Sequence, residues 1–118
     1  MKDELKHKAY QVRYVEDQNL ILIQGDLRLE SVQKYDEIIE FITSSVLSSE
    51  KPINIDVTKL ATLNSSGIAA LGMFLVGIKK SKREVTLIGS RYVSWQAISL
   101  DGFCDINEYL SVEFIVHH

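Results

Sequence analysis

The amino-acid sequence predicts an α/β fold, with a mixed β-sheet of four to five strands and helices packed against it. Three observations lead there. Segments whose apolar residues alternate every second position are interleaved with segments whose apolar residues recur at spacings of three and four. Strands separated by helices need crossover connections, which give a parallel or mixed sheet covered by those helices. The length of 118 residues fits one domain, read as 1–118 with an ordered core over about 10–116.

Residues 10–14 read as the first strand and 20–23 as the second, joined by the turn-forming side chains of Glu16, Asp17, Gln18 and Asn19. Gly25 and Asp26 then break the pattern. Ser31 is placed to cap a helix with Tyr35, Ile38, Ile39, Ile42 and Val46 on one stripe and Lys34, Asp36, Glu37 and Glu40 mostly outside it. Four serines between 44 and 49 weaken this helix before Pro52. Ile53, Ile55 and Val57 alternate with Asn54, Asp56 and Thr58, the period of a strand.

A loop over 59–64 leads to a second helix carrying Ile68, Leu71, Phe74, Leu75 and Ile78. Gly72 and Gly77 each cost about 1 kcal/mol there relative to alanine, which suggests close packing against a sheet or partner. The basic run 79–83 suits a helix C-terminus, where cations complement the dipole and stay hydrated. Residues 85–88 form a strand ended by Gly89. Ser90 is placed to cap a third helix to about Ser99, with Val93, Trp95, Ala97 and Ile98 as its apolar residues. Asp101 and Gly102 make a turn, and 112–116 look strand-like.

Composition narrows the function. Hydrophobic residues are 46% and charged residues 25%, with one proline and six glycines, which suits a packed core and disfavours disorder. A net charge of −3 gives no support to nucleic-acid binding. Cys104 is the sole cysteine, so an intramolecular disulfide is impossible, and a cytoplasmic location and a buried, inert thiol are expected. The polar start lacks the apolar stretch of a signal peptide. No membrane span is expected either: the uncharged run 60–78 includes Thr62, Asn64, Ser65 and Ser66, and its apolar part falls far short of about 20 residues.

The segment Asn64-Ser65-Ser66-Gly67 is the candidate site. Asn and Ser before an apolar helix are ordinary N-caps. The same segment also resembles a nucleophile elbow, Gly-x-Ser-x-Gly, with Leu63 in place of the first glycine. Such a serine needs a base, and the only histidines are His7, His117 and His118, all terminal; the last two are either native or a tag remnant. Catalytic residues are therefore not expected. The chain lacks phosphate-loop and dinucleotide glycine patterns, and no Cys/His pair has metal-ligand spacing, so neither cofactor nor metal is expected. Asp56, at a strand end, is alone no metal site. A phosphoserine is the remaining chemistry: it adds about −1.5 to −2 charge, which a helix N-terminus tolerates and a docked partner does not.

Ile53-Asn54-Ile55-Asp56-Val57, followed by Leu63-Asn64-Ser65-Ser66-Gly67-Ile68-Ala69-Ala70-Leu71, resembles the signature of STAS domains, the anti-sigma-factor antagonist family. The order of elements over about 10–110 and the turn at Gly25-Asp26-Leu27 fit the same pattern. The resemblance implies a STAS-like fold without catalytic activity, acting in signal transduction and transcription regulation by partner switching. Its partners would be a switch-protein serine kinase or anti-sigma factor and a phosphatase, with the module a monomer or weak homodimer. It also implies that Ser65 is the phosphoacceptor and that Asp56, Asn64, Ser65, Ser66 and Gly67 form the partner-binding set. One departure stands out. The family's usual aspartate before the acceptor serine is Asn64 here, which keeps open a scaffold or small-ligand-sensing domain that is never phosphorylated.

Overall fold

The computed structural model of the chain describes residues 3–116, so His117 and His118 lie outside the described residues. Three antiparallel strands open the fold: β1 (Glu4–Lys6), β2 (Tyr10–Val15) and β3 (Leu20–Leu27). The β2–β3 turn is a single 3-10 turn, Glu16–Gln18, closed by Asn19 in the left-handed region at φ 49°. Asparagine tolerates that conformation well. Four further strands follow: β4 (Ile53–Asp56), β5 (Leu60–Leu63), β6 (Val85–Gly89) and β7 (Leu110–Phe114). The sheet order is β1-β2-β3-β4-β6-β7, with β5 also paired to β3, and every pairing from β3 onward is parallel. The mixed sheet matches the expected class.

Among the described residues seven strands replace the expected four to five, and the physical reason lies at Gly25. The backbone there has φ +101°, and a Cβ would sit 2.3 Å from the Ala9 carbonyl oxygen. The apparent break is therefore a bulge that bends β3 without ending it. Leu20 to Leu22 pair with β4, and beyond the bulge Gly25 to Leu27 pair with β5. This second pairing turns the expected loop 59–64 into a strand. Strand β1, too short and charged to show a period in the sequence, forms because β2 offers it a free edge.

The helices are α1 (Asp36–Leu47), α2 (Ser65–Ile78) and α3 (Ser94–Ser99). Ile38, Ile42 and Val46 of α1 and Leu71, Phe74, Leu75 and Ile78 of α2 are buried, as their spacing requires. They cover the sheet face that carries Ile21, Ile55 and Leu87, all fully buried. Each such side chain contributes about 1.5–3 kcal/mol.

Local corrections follow from tertiary context. Ser31 makes no capping bond, because a 3-10 turn, Val32–Tyr35, precedes α1. Ser90 is buried without capping α3, whose N-cap is Val93. Ile98, read as one of the apolar residues of this helix, is 82% exposed, and Gln96 is the fully buried residue of α3. Gln96 donates to the Val57 and Leu60 carbonyls and accepts from the Ser90 N–H, so it ties three segments together. Gly72 makes ordinary contacts with Phe103 and Ile106, while a Cβ on Gly77 would meet nothing within 4 Å. Only Gly72 is packed. Cys104, expected buried, is exposed. Its thiol pKa is nevertheless raised, by partial desolvation first and then by Asp101 and Asp105, so the thiolate is disfavoured on other grounds.

Candidate functional site

Strand β5 ends at Leu63, which pairs with Leu27, and the Asn64 N–H donates to the Leu27 carbonyl at 3.2 Å. The chain therefore leaves the sheet at a fixed point. Asn64 stays extended (φ −78°, ψ 175°) and caps α2: its Oδ1 accepts from the Gly67 N–H at 3.0 Å. The same oxygen accepts from the Tyr35 hydroxyl at 2.6 Å. Its Nδ2 donates to the Leu29 carbonyl at 2.8 Å, and the Leu29 N–H donates to the Tyr35 oxygen at 3.3 Å. Asn64, Tyr35 and Leu29 thus close a ring of hydrogen bonds joining the β3 exit, the start of α1 and the start of α2. Both lone pairs of Oδ1 are used.

This ring gives a physical reason for asparagine at position 64. A carboxylate would keep the bonds from Gly67 and Tyr35. It would also bring a second anionic oxygen against the Leu29 carbonyl, where only a donor fits. Gly67 is equally constrained. A Cβ there would meet Leu63 Cδ1 at 2.3 Å and the Tyr35 oxygen at 2.7 Å.

Ser65 is the first residue of α2 and is exposed, whereas Ser66 is half-buried. Among the described residues neither hydroxyl has a hydrogen-bond partner. At 100° per residue, Ser65, Ala69 and Val76 fall on one line of the helix with Met73 beside it. Val76 and Met73 are 58% and 65% exposed. Asp56 occupies a separate turn. Its Oδ1 accepts from the Thr58 N–H at 2.8 Å and the Thr58 hydroxyl at 2.7 Å, which shapes the link from β4 to β5. Ile55 and Val57 are buried toward the helices, so strand alternation turns Asp56 to the opposite face.

The structure thus brings Asn64, Ser65, Ser66 and Gly67 together and gives Asp56 its own local partners. Sequence reasoning missed Tyr35 as a site residue, placing it only on a core stripe. The available signal was a hydroxyl in an otherwise aliphatic stripe, because a buried tyrosine oxygen needs a partner. Burial raises the Tyr35 pKa and the Leu29 N–H offsets part of that, which keeps the phenol a neutral donor to Asn64. Arg28 was also missed; its Nη2 reaches Thr62 Oγ1 at 3.5 Å on the strand leading into the site. His7 bonds Glu37 at 3.3 Å and stacks on Tyr10, so it is not a base for Ser65. Among the described residues no cluster of three or more His, Cys, Asp or Glu side chains is placed to hold a metal.

Fold and site together define a mixed-sheet α/β protein whose second helix starts at a rigidly capped, serine-bearing entry. Among solved structures the chain is similar to SiaC of Pseudomonas aeruginosa, with 21% identity, a TM-score of 0.67, and coverage of 99% of this chain and 98% of that one. It is also similar to apo-SiaC from the same organism (18% identity, TM-score 0.65, 95% and 99% covered). A chain in the complex of the P. aeruginosa diguanylate cyclase SiaD with its activator SiaC matches at 17% identity and TM-score 0.67, covering 94% and 96%. At these identities the likeness is one of fold. No family model matches the chain, and comparison with curated proteins gives no match.

Proposed function

We propose that this chain is a regulatory protein-binding module of the STAS type, not an enzyme, that docks its partner through the Asn64–Gly67 entry and the exposed line of α2. Ser65 is its phosphoacceptor. A switch-protein serine kinase or anti-sigma factor is the partner class, with a phosphatase as the reversing activity. One observation carries the reading: an exposed, unbonded Ser65 hydroxyl stands on a helix N-terminus whose cap, Asn64, is held independently of it. A phosphate on Ser65 would meet free N–H groups and the positive end of the dipole, so the fold has no need to change. The partner-facing surface would gain a hydrated dianion. The likeness to an activator solved in complex with the enzyme it activates also supports a protein partner.

The test uses recovered partner, ATP and intact mass. Wild type should gain one phosphate and Ser65→Ala none. Ser65→Glu should weaken partner binding while its melting temperature stays close to wild type. Tight binding of the partner with no phosphate on wild type would sink the switch and leave a scaffold.

A further inference from the structure

Among the described residues β1 pairs with β2 alone, so it forms one edge of the sheet. In an antiparallel pair, alternate residues turn their N–H and C=O groups toward the neighbouring strand and the others turn them away. The Tyr14 N–H donates to the Asp3 carbonyl and the His7 N–H to the Tyr10 carbonyl, so Asp3, Leu5 and His7 face β2. Glu4 and Lys6 therefore turn their backbone donors and acceptors outward. Both are exposed, while Leu5 between them is buried in the core. Gln11 Nε2 donates to one Glu4 carboxylate oxygen at 2.7 Å, which leaves the other for a further partner. Among the described residues neither Glu4 nor Lys6 belongs to an ion pair.

Such an edge is a template for another strand, and its own sequence decides which one fits. Laid antiparallel on a copy of itself, about a twofold axis at Leu5, Glu4-Leu5-Lys6 sets each Glu4 opposite a Lys6. This register joins the residues whose backbone groups point outward, so each Glu4–Lys6 pair exchanges two N–H···O bonds. Moving the axis to Glu4 or to Lys6 sets like charges opposite each other, which is unfavourable. Charge thus selects one register, and both halves of the match belong to this chain. The far edge offers no equivalent. Glu113 is the only charged residue of β7, so no twofold register there pairs opposite charges. The surroundings of β1 divide the same way. Asp3, Glu4, Glu16 and Asp17 outnumber Arg13 at one end, and Lys6, Lys8 and Lys59 gather at the other.

We propose that a second copy of this chain pairs with the first through β1, antiparallel about a twofold axis at Leu5, with Glu4 of each copy opposite Lys6 of the other. The two sheets become one. Both helical layers lie on the same side of it, because the axis stands perpendicular to the sheet and keeps each Leu5 on the helix face. Strands β2 and β3 separate the junction from the Asn64–Gly67 entry, so one dimer offers two docking sites at opposite ends of the joined sheet. The proposal goes beyond the partner-binding reading and does not depend on it. A three-residue strand makes a small interface, and a dissociation constant on the order of 100 µM is expected.

Sedimentation of the full chain from about 10 µM to about 1 mM should show monomer giving way to dimer. Amide NMR over the same range should move Glu4 and Lys6 most, and salt at about 0.5 M should weaken the association. Glu4→Lys and Lys6→Glu each set like charges across the junction. Each should weaken the dimer about fivefold or more, with its melting temperature in dilute solution close to wild type. Mixed in equal amounts, the two variants should associate again, because each then meets its opposite charge at both positions. A chain that stays monomeric at about 1 mM, or shifts centred on β7 or on Leu47 and Met73, would overturn the proposal. So would single variants that dimerise as wild type does, or folded variants whose mixture fails to associate.

Discussion

Asn64 shows most directly how one side chain can carry several duties. Its oxygen caps α2 and receives the Tyr35 hydroxyl, while its amide nitrogen satisfies the Leu29 carbonyl. The capping role was legible in the sequence, since Asn before an apolar helix reads as a cap. The Leu29 bond was not, because it spans 35 residues and depends on where β3 ends. Asn64→Asp should therefore destabilise the fold. Losing the donor to Leu29 costs about 1–3 kcal/mol, and a carboxylate at the helix N-terminus returns about 0.3–1. A net loss of about 1–2 kcal/mol should appear as a lower denaturant midpoint with an unchanged slope. Tyr35→Phe tests the same ring from the other side. It leaves the Leu29 N–H without its acceptor, at a cost of about 1–2 kcal/mol. Tyr35 also has a pH signature. Its pKa is raised on folding, so its contribution is intact below the ordinary phenol value of 10.0 and is lost as pH rises through the raised one. Tyr35→Phe should remove that part of the alkaline loss of stability.

At the scale of elements, periodicity identified what was long and amphipathic and failed where pairing decided. Helices α1 and α2 bury the stripes their spacing predicts. Strand β5 escaped because its four residues carry no clear alternation, and it exists only because β3 bends at Gly25. Helix α3 was read from its apolar residues, yet Ile98 is exposed and Gln96 is buried. Its six residues are held by Gln96, whose amide bridges the β4–β5 link and the β6–α3 link, so hydrophobicity does not set its orientation. Gln96→Leu should cost about 1–3 kcal/mol, because it takes the acceptor from the buried Ser90 N–H and removes the bonds that tie α3 to the Val57 and Leu60 carbonyls. Two of the three glycines of α2 make a sharper comparison. Gly77→Ala should stabilise by about 0.5–1 kcal/mol through helix propensity, since its Cβ meets nothing. Gly67→Ala should destabilise by about 1–3 kcal/mol despite the same propensity gain, since its Cβ collides with Leu63 and Tyr35. Thermal melts of the two variants beside wild type should move in opposite directions.

Across the whole molecule, one sheet face is packed by every long helix, and the strands that reach the site are also its centre. Strand β3 pairs with β2, β4 and β5, so the bond that positions Asn64 on Leu27 is anchored in the best-connected strand. Opening of the site should therefore require opening of the core. Trp95, the single tryptophan, reports on this, because its indole N–H donates to the Leu60 carbonyl at 2.8 Å on the strand entering the site. Its fluorescence transition in denaturant should coincide with the loss of helix seen by circular dichroism, as in a cooperative domain. Amide exchange should follow the same hierarchy. Central β3, β4 and β6 should be slowest, and the three-residue edge strand β1 fastest among the strands. The Gly67 amide, bonded to Asn64, should exchange with the slow group. Protection of that amide falling to the level of β1 would mean that the entry to α2 opens locally, and that its rigidity is not set by the sheet.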